Sequence, residues 1–297
     1  MTYWILYHLL SLISYIPRPL GIRLGEFLGR TSCRILKKKR EAAFNNLTIA
    51  LGDQLGTKER QALVKKSFQF LGRHLFEVCY LIRLNKEKLV SYLDFQGVNH
   101  FEQARIQNKG VILLTGHFGC WELMAVGIGF FISPVYLVAQ SMKFNPVEKL
   151  VRTLRGISGN QSIPKEKSMR RLIKILREGN NIGILLDQNV DWYEGVFVPF
   201  FKKRACTNKG LALLAGKTQA PVVPVFIVHQ GGGRYRIEFQ PALPWLSFGD
   251  RTKEIEENTT LYNQVVEKMV RQYPDHYFWV HQRWKTRPYQ TWPRQLN

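Results

Sequence analysis

Fourteen residues without a formal charge, Tyr3 to Ile16 (YWILYHLLSLISYI), open the chain's pattern of apolar and polar positions. Read as a helix they reach roughly 21 Å, short of the roughly 30 Å hydrocarbon core of a bilayer. After Pro17 and Pro19 comes an amphipathic stretch, IRLGEFLGRTSCRILKKKR. Residues 41–92 keep a helical period: from Thr57, apolar positions recur at Leu63, Phe68, Leu71, Leu75 and Val78. Near residue 93 the period changes. VILLT (111–115) is a short apolar run ending at Gly116, as a buried strand would, and FGCWELMAVGIGFF then reads as a helix. VYLVA (135–139) repeats the strand signal, and NPVEKLVRTLR starts on the Asn-Pro pair that favours a helix N-terminus. MRRLIKILREG is helical and closes on Gly179, leading into a third buried strand, NIGILLD (181–187). ALLAGKTQ, VVPVFIV and YRIEFQ, the last two joined across a GGG turn, continue the alternation. Such alternation predicts an α/β sheet with functional side chains at the C-terminal ends of its strands. With no internal repeat or low-complexity linker, the simplest division is an N-terminal segment, 1–40, and a catalytic domain, 41–297, whose residues 41–92 are a helical lead-in.

Charge adds a partner. The 297 residues hold 43 Lys and Arg against 22 Asp and Glu, a net +21, yet 45% are hydrophobic and 12% aromatic, enough for a sizeable core. A disordered basic tail is excluded. The excess calls for nucleic acid, an anionic membrane or a phosphorylated substrate. Residues 1–40 carry eight Lys or Arg and one Glu, with Tyr3, Trp4, Tyr7 and Tyr15 as interfacial aromatics and Arg18 placed to snorkel. No basic region precedes the apolar run and no small-residue cleavage site follows it, which argues against a removable signal. The expectation is a membrane-anchored or interfacial helix with a basic collar, the bulk of the chain lying in the cytoplasm; a greasy helix tucked onto the globule is the alternative. Cys33, Cys79, Cys120 and Cys206 have neither metal nor disulfide spacing.

The chemistry centres on Gly116-His117-Phe118-Gly119-Cys120-Trp121-Glu122, directly after VILLT. A strand–glycine–histidine–glycine–helix turn places an imidazole in the crevice where α/β folds bind ligands. Glu122, five positions on, is placed to hold the ring tautomer and to stabilise the imidazolium formed when the ring takes a proton from a hydroxyl. A satisfied structural histidine is the plainer reading of the same spacing, and Cys120 as a nucleophile is a further alternative. No second or third zinc ligand stands at metal spacing, and GxSxG, GxxxxGK[ST] and GxGxxG are missing, so no metal or cofactor is expected. Asp187-Gln188 ends the third buried strand, beside His117, where an acidic residue orients an arginine or substrate, or caps a helix. Arg170, Lys174 and Arg177 share one face of their helix, with Met169, Leu172, Ile173 and Leu176 on the other.

GHFGCWELM resembles the His-x4-Glu block of the lysophospholipid acyltransferase superfamily, and specifically its lipid A biosynthesis (lauroyl/myristoyl-type) acyltransferase branch. Four further stretches are similar, in order: KFNPVEKLVRTLRG to the Asn-Pro block, GILLDQNVDWYEGVFVPFF to the Asp-Gln block, ACTNKGLALLAGKTQAPVVPVF to the Thr-x-x-Gly and Ala-Pro block, and YPDHYFWVHQRWKTRP to the C-terminal Trp-x-x-x-Arg-Trp-Lys signature. Lys202, Lys203 and Arg204 stand where the branch usually has a glycine. The resemblance implies a mixed sheet flanked by helices behind an N-terminal membrane-anchoring segment. It implies an enzyme of the bacterial inner membrane, on its cytoplasmic face, moving a fatty acyl chain from acyl carrier protein to a hydroxyl of an anionic phosphoglycolipid. His117 would be the general base and Glu122 its partner. Arg152, Arg155, Asp187 and Gln188 would bind substrate, with Phe197, Phe200 and Phe201 as candidates for lining the acyl cavity. Oxyanion donors are expected among the backbone amides of Gly116 to Gly119 or from a nearby basic side chain. A glycerolipid acyltransferase is the alternative, and a basic nucleic-acid-binding protein, for which no binding motif is present, the remoter one.

Overall fold

The structure, a computed structural model, describes residues 2–141 and 144–288; Lys143, the first residue of the Asn-Pro block, is outside them. Four helices lead in: α1 (Thr2–Ile13), α2 (Arg18–Ile35), α3 (Lys37–Leu51) and α4 (Thr57–Tyr80), followed by one short turn, α5 (Lys86–Leu89). The remainder alternates as β1 (Leu93–Gln96), α6 (Val98–Arg105), β2 (Val111–Thr115), α7 (Trp121–Phe131), β3 (Val135–Ala139), α8 (Asn145–Gly156), β4 (Gln161–Pro164), α9 (Met169–Arg177) and β5 (Asn181–Leu185). A hairpin, β6 (Gly195–Phe200) and β7 (Lys203–Asn208), interrupts the alternation before α10 (Gly210–Thr218), β8 (Val222–Gly231), β9 (Arg234–Phe239) and α11 (Arg251–Gln272).

Seven strands form one sheet in the order β1-β9-β8-β2-β5-β3-β4. Neighbours run parallel except β8 and β9, the two arms of the GGG turn, so the sheet is mixed. Strand β2 lies in the middle, paired to β5 on one side and β8 on the other. Both of its faces are covered, which is why VILLT is apolar without a break. Ile112 and Leu114 point into a core shared with Leu172, Leu176, Leu214 and Val266. Val111 and Leu113 point into a second core with Phe101, Leu123, Val126 and Leu154. The two-residue period of a strand thus divides one short run between two layers of helices.

The N-terminal helices rest on α4. Gly25 and Gly72 face each other across α2 and α4, and a Cβ on Gly72 would sit 2.0 Å from the Gly25 carbonyl oxygen. Backbones pack this closely only where neither residue has a side chain. With Gly21, Gly25, Gly29 and Cys33 buried on one side of α2, its other side is left to Leu20, Leu24, Phe27, Leu28 and Ile35, all exposed. Helix α1 buries no residue fully: Tyr3, Leu6, Tyr7 and Leu10 lean on the second core, while Trp4, Ile5, Leu9 and Leu12 face outward.

The anchor expected from Tyr3–Ile16 needs correction in one respect. Helix α1 has 12 residues, about 18 Å at 1.5 Å per residue. Among the described residues no helix is long and apolar enough to cross a membrane. Pro17 ends the run, and α2 then spends one face on α4.

Candidate active site

In the pairing of β2 with β5, Thr115 stands opposite Leu185, and the Leu186 amide donates to the Thr115 carbonyl at 2.9 Å. His117 and Asp187 each lie two residues past these partners, so equal offsets on adjacent parallel strands bring them together. Asp187 Oδ1 accepts from the His117 backbone amide and from ring Nδ1, each at 2.9 Å. Asp187 is buried, 3% exposed against 17% for the imidazole. Burial alone would raise the Asp187 carboxyl, but the His117 ring and amide, with the Arg283 guanidinium farther off, outweigh it and hold the group below the ordinary carboxylate range. Ionised, Asp187 fixes the proton on Nδ1. Nε2 therefore offers a lone pair, and the Gln188 side-chain amide donates to it at 3.1 Å.

The turn carrying His117 is clasped by the C-terminal segment. The Phe278 amide donates to the His117 carbonyl at 3.0 Å, the Gly119 amide to the His276 carbonyl at 2.9 Å, and Phe118 bridges to Tyr277. Gly119 sits at φ +61°, and a Cβ there would lie 2.1 Å from the Ile227 carbonyl oxygen; this position of the motif is closed to any other residue. Behind Asp187, the fully buried Arg283 donates to the carbonyl of Cys206 at 2.8 Å and to the hydroxyl of Thr207.

Glu122 is elsewhere engaged. Standing in the first turn of α7, it accepts from Arg155 Nε at 2.8 Å and Arg155 Nη2 at 2.6 Å, the two-pronged geometry a guanidinium and a carboxylate favour. Burial pushes its carboxyl up, but the Arg155 charge and hydrogen bonds overcome this and hold it down. The expected pairing of Glu122 with His117 is thus corrected: the carboxylate on the ring is Asp187, and Glu122 binds Arg155. The five-residue spacing places Glu122 on the helix that follows the turn, whereas β5, next to β2, delivers Asp187 to Nδ1. Arg155 is spent on this pair, and Arg152 lies on the exposed side of α8, 3.9 Å from Glu148. Trp121 separates His117 from His74. The His74 ring lies 3.9 Å, centroid to centroid, from Trp121, and burial pushes it down to about 4. Cys120 points away, donating to the Tyr235 hydroxyl at 3.4 Å, and burial drives its thiol far up; such a thiol is no nucleophile at neutral pH.

His117, Glu122, Arg155 and Gln188 open on one cavity of about 640 Å³, within the range of small-molecule sites. Its apolar wall is built by Leu172, Leu186, Leu211 and Leu214, from α9, the end of β5 and α10; Lys167 and Lys209 add positive charge, while Lys165 is paired with Glu194, also of the lining. Phe200 and Phe201, candidates for this wall, instead pack in the core around Tyr277, Trp279 and Trp284. Sequence reasoning singled out Arg170, Lys174 and Arg177, which lie exposed on the outer side of α9, and passed over the three lysines. Their signal was available: Lys165 and Lys167 follow a strand end and Lys209 precedes a helix, the places where loops border a crevice.

The sequence profile of the bacterial lipid A biosynthesis acyltransferases matches residues 1–286. Curated relatives include three from Escherichia coli (strain K12). The lipid A biosynthesis lauroyltransferase is 26% identical over 287 residues, covering 96% of this chain and 92% of that protein. The palmitoleoyltransferase is 24% identical over 291 residues, with coverages of 96% and 92%. The myristoyltransferase is 27% identical over 281 residues, with coverages of 91% and 81%. Among solved structures, the 1-acyl-sn-glycerophosphate acyltransferase of Thermotoga maritima aligns with 82% of this chain and 98% of its own, at a TM-score of 0.39 and 17% identity.

Proposed function

We propose, for a chain that belongs to the bacterial lipid A biosynthesis acyltransferase family, that it transfers a fatty acyl chain from acyl carrier protein to a hydroxyl of a lipid A precursor, with His117 as general base. The observation that carries this reading is the His117–Asp187 pair at one side of a leucine-walled cavity. Asp187 keeps the proton on Nδ1, and Nε2 takes the proton of the acceptor hydroxyl as its oxygen attacks the thioester carbonyl. The buried carboxylate stabilises the imidazolium so formed, and the ring returns the proton to the departing thiolate. The products are an ester and a free thiol. The apolar wall suits the acyl chain. Lys167 and Lys209 in the cavity, and Arg152 outside it, are the cations proposed to meet phosphate of the donor arm or the acceptor.

The same reading places the enzyme on the cytoplasmic face of the bacterial inner membrane. The outward residues of α1 and α2, flanked by exposed Arg23, Arg30, Arg34 and Lys37, form an apolar band with a basic border, the makeup of a helix that lies in an anionic interface.

The experiment is acyl transfer by the purified chain in membranes, with lauroyl-acyl carrier protein and a lipid A precursor, products identified by mass spectrometry. His117→Ala is expected to abolish transfer while the variant still unfolds cooperatively from a folded state. Turnover by that variant refutes the role, and transfer to a lysophosphatidate in preference to the lipid A precursor would reassign the acceptor to glycerolipids.

A further inference from the structure

Three backbone amides of the turn around His117 are already engaged. The His117 amide is bound to Asp187, the Phe118 amide to the Gly116 carbonyl at 2.8 Å and the Gly119 amide to the His276 carbonyl. Arg155, the neighbouring guanidinium, directs Nε and Nη2 at Glu122. None of these is disposed toward a negative charge developing in the cavity. The donor standing beside Nε2 is the side-chain amide of Gln188, 3.1 Å away.

We infer that Gln188 is a catalytic residue whose side-chain N–H stabilises the oxyanion of the tetrahedral intermediate. The inference rests on the proposed acyl transfer at His117. In the resting site the Gln188 amide occupies the position an acceptor hydroxyl must take on Nε2. When the hydroxyl arrives, the amide is displaced from the ring but stays within hydrogen-bond reach of the meeting point of hydroxyl oxygen and carbonyl carbon. The hydroxyl oxygen bonds to that carbon and its proton passes to Nε2. The carbonyl electron pair moves onto oxygen, which accepts from the released N–H. Collapse restores the carbonyl and breaks the carbon–sulfur bond, and the thiolate recovers the proton from Nε2.

The backbone after Gln188 is held for this task. The Asn189 amide donates to His281 Nε2 at 2.9 Å, and the Asn189 side chain exchanges two hydrogen bonds with Thr286, at 2.8 and 3.0 Å. With the backbone anchored, the side chain alone moves, so the donor travels only the short way from Nε2 to the charge that appears beside it.

The test compares the parent with Gln188→Ala, Gln188→Met, which keeps the length of the side chain without its N–H, and His117→Ala. Each is assayed as full-length purified protein with lauroyl-acyl carrier protein and a lipid A precursor. Both Gln188 variants are expected to lose about 10²–10³-fold in kcat, with KM for either substrate within about threefold of the parent, as for an interaction made in the transition state alone. A kcat within tenfold of the parent in either variant, or a raised KM at unchanged kcat, overturns the inference. Loss in His117→Ala with activity kept in both Gln188 variants refutes the role of Gln188 alone; activity kept in His117→Ala refutes the underlying reading of the site as well.

Discussion

Replacing Asp187 by Asn keeps the shape of the side chain and removes its charge from 2.9 Å beside the ring. At that separation, and an effective dielectric of about 20, the carboxylate and a full imidazolium attract by about 6 kcal/mol. At about 1.4 kcal/mol per tenfold this corresponds to about 10⁴ in rate if the ring is fully charged in the transition state, and about 10³ if it is three-quarters charged. The expected loss is therefore about 10³–10⁴-fold in kcat, with little change in KM. Glu122→Gln is the informative counterpart. It leaves Arg155, 13% exposed, without its carboxylate, and breaking a buried ion pair from one side costs about 3–5 kcal/mol. Its main effect is expected on thermal stability, with a smaller loss of rate. Steady-state acyl transfer and scanning calorimetry on the two variants separate the cases. If Asp187→Asn stays within tenfold of the parent while Glu122→Gln is inactive at an unchanged thermal midpoint, the pairing drawn from the structure is wrong and the five-residue spacing was the better guide.

Three further outcomes are expected. Gly72→Leu forces side-chain atoms against the Gly25 carbonyl and should destabilise the chain by at least about 1–3 kcal/mol in denaturant unfolding; an unchanged midpoint would disprove the close contact of α2 and α4. Burial holds His74 and His229 at about 4 in the folded chain, against an ordinary 6.5. The unfolded chain therefore binds more protons between those values, and stability falls as pH drops through that window; His74 alone should cost about 2 kcal/mol between pH 7 and pH 5, and His74→Phe should flatten the slope. Changing Leu24, Phe27 and Leu28 together to Gln should weaken co-sedimentation with anionic vesicles by at least about tenfold, since each buried side chain of this kind contributes about 1.5–3 kcal/mol; equal binding would remove α2 from the membrane contact.

The central strands and the position of His117 were legible because β2, β3 and β5 are short, largely apolar runs, β2 closed by Gly116 and β5 by Asp187, and such runs have few other readings. Asp187 was legible as a strand-end residue beside the histidine, but not as its partner, because strand order is set by packing of whole layers and no local spacing encodes that β5 adjoins β2. Glu122 shows the converse. Its nearness in sequence suggested a contact that the helix start of α7 turns toward α8 instead. The hairpin of β6 and β7 was hidden by Pro199, which argues against a central strand yet is harmless in a two-stranded ribbon. Helix α11 was obscured by Asn258, Thr259 and Asn263, polar residues at buried positions. Asn258 is satisfied by the Leu246 amide and carbonyl at 3.0 and 2.8 Å, a tertiary pairing that no periodicity announces.

The clasp of residues 276–281 on the turn at 117–119 and on Asn189 fixes an order of events during synthesis. These residues leave the ribosome after everything they hold, so the imidazole and its neighbours gain their final frame only when residues 276–281 dock. Until that docking the His117 ring lacks the backbone contacts that hold its turn, whatever the helices α1 to α4 have already formed.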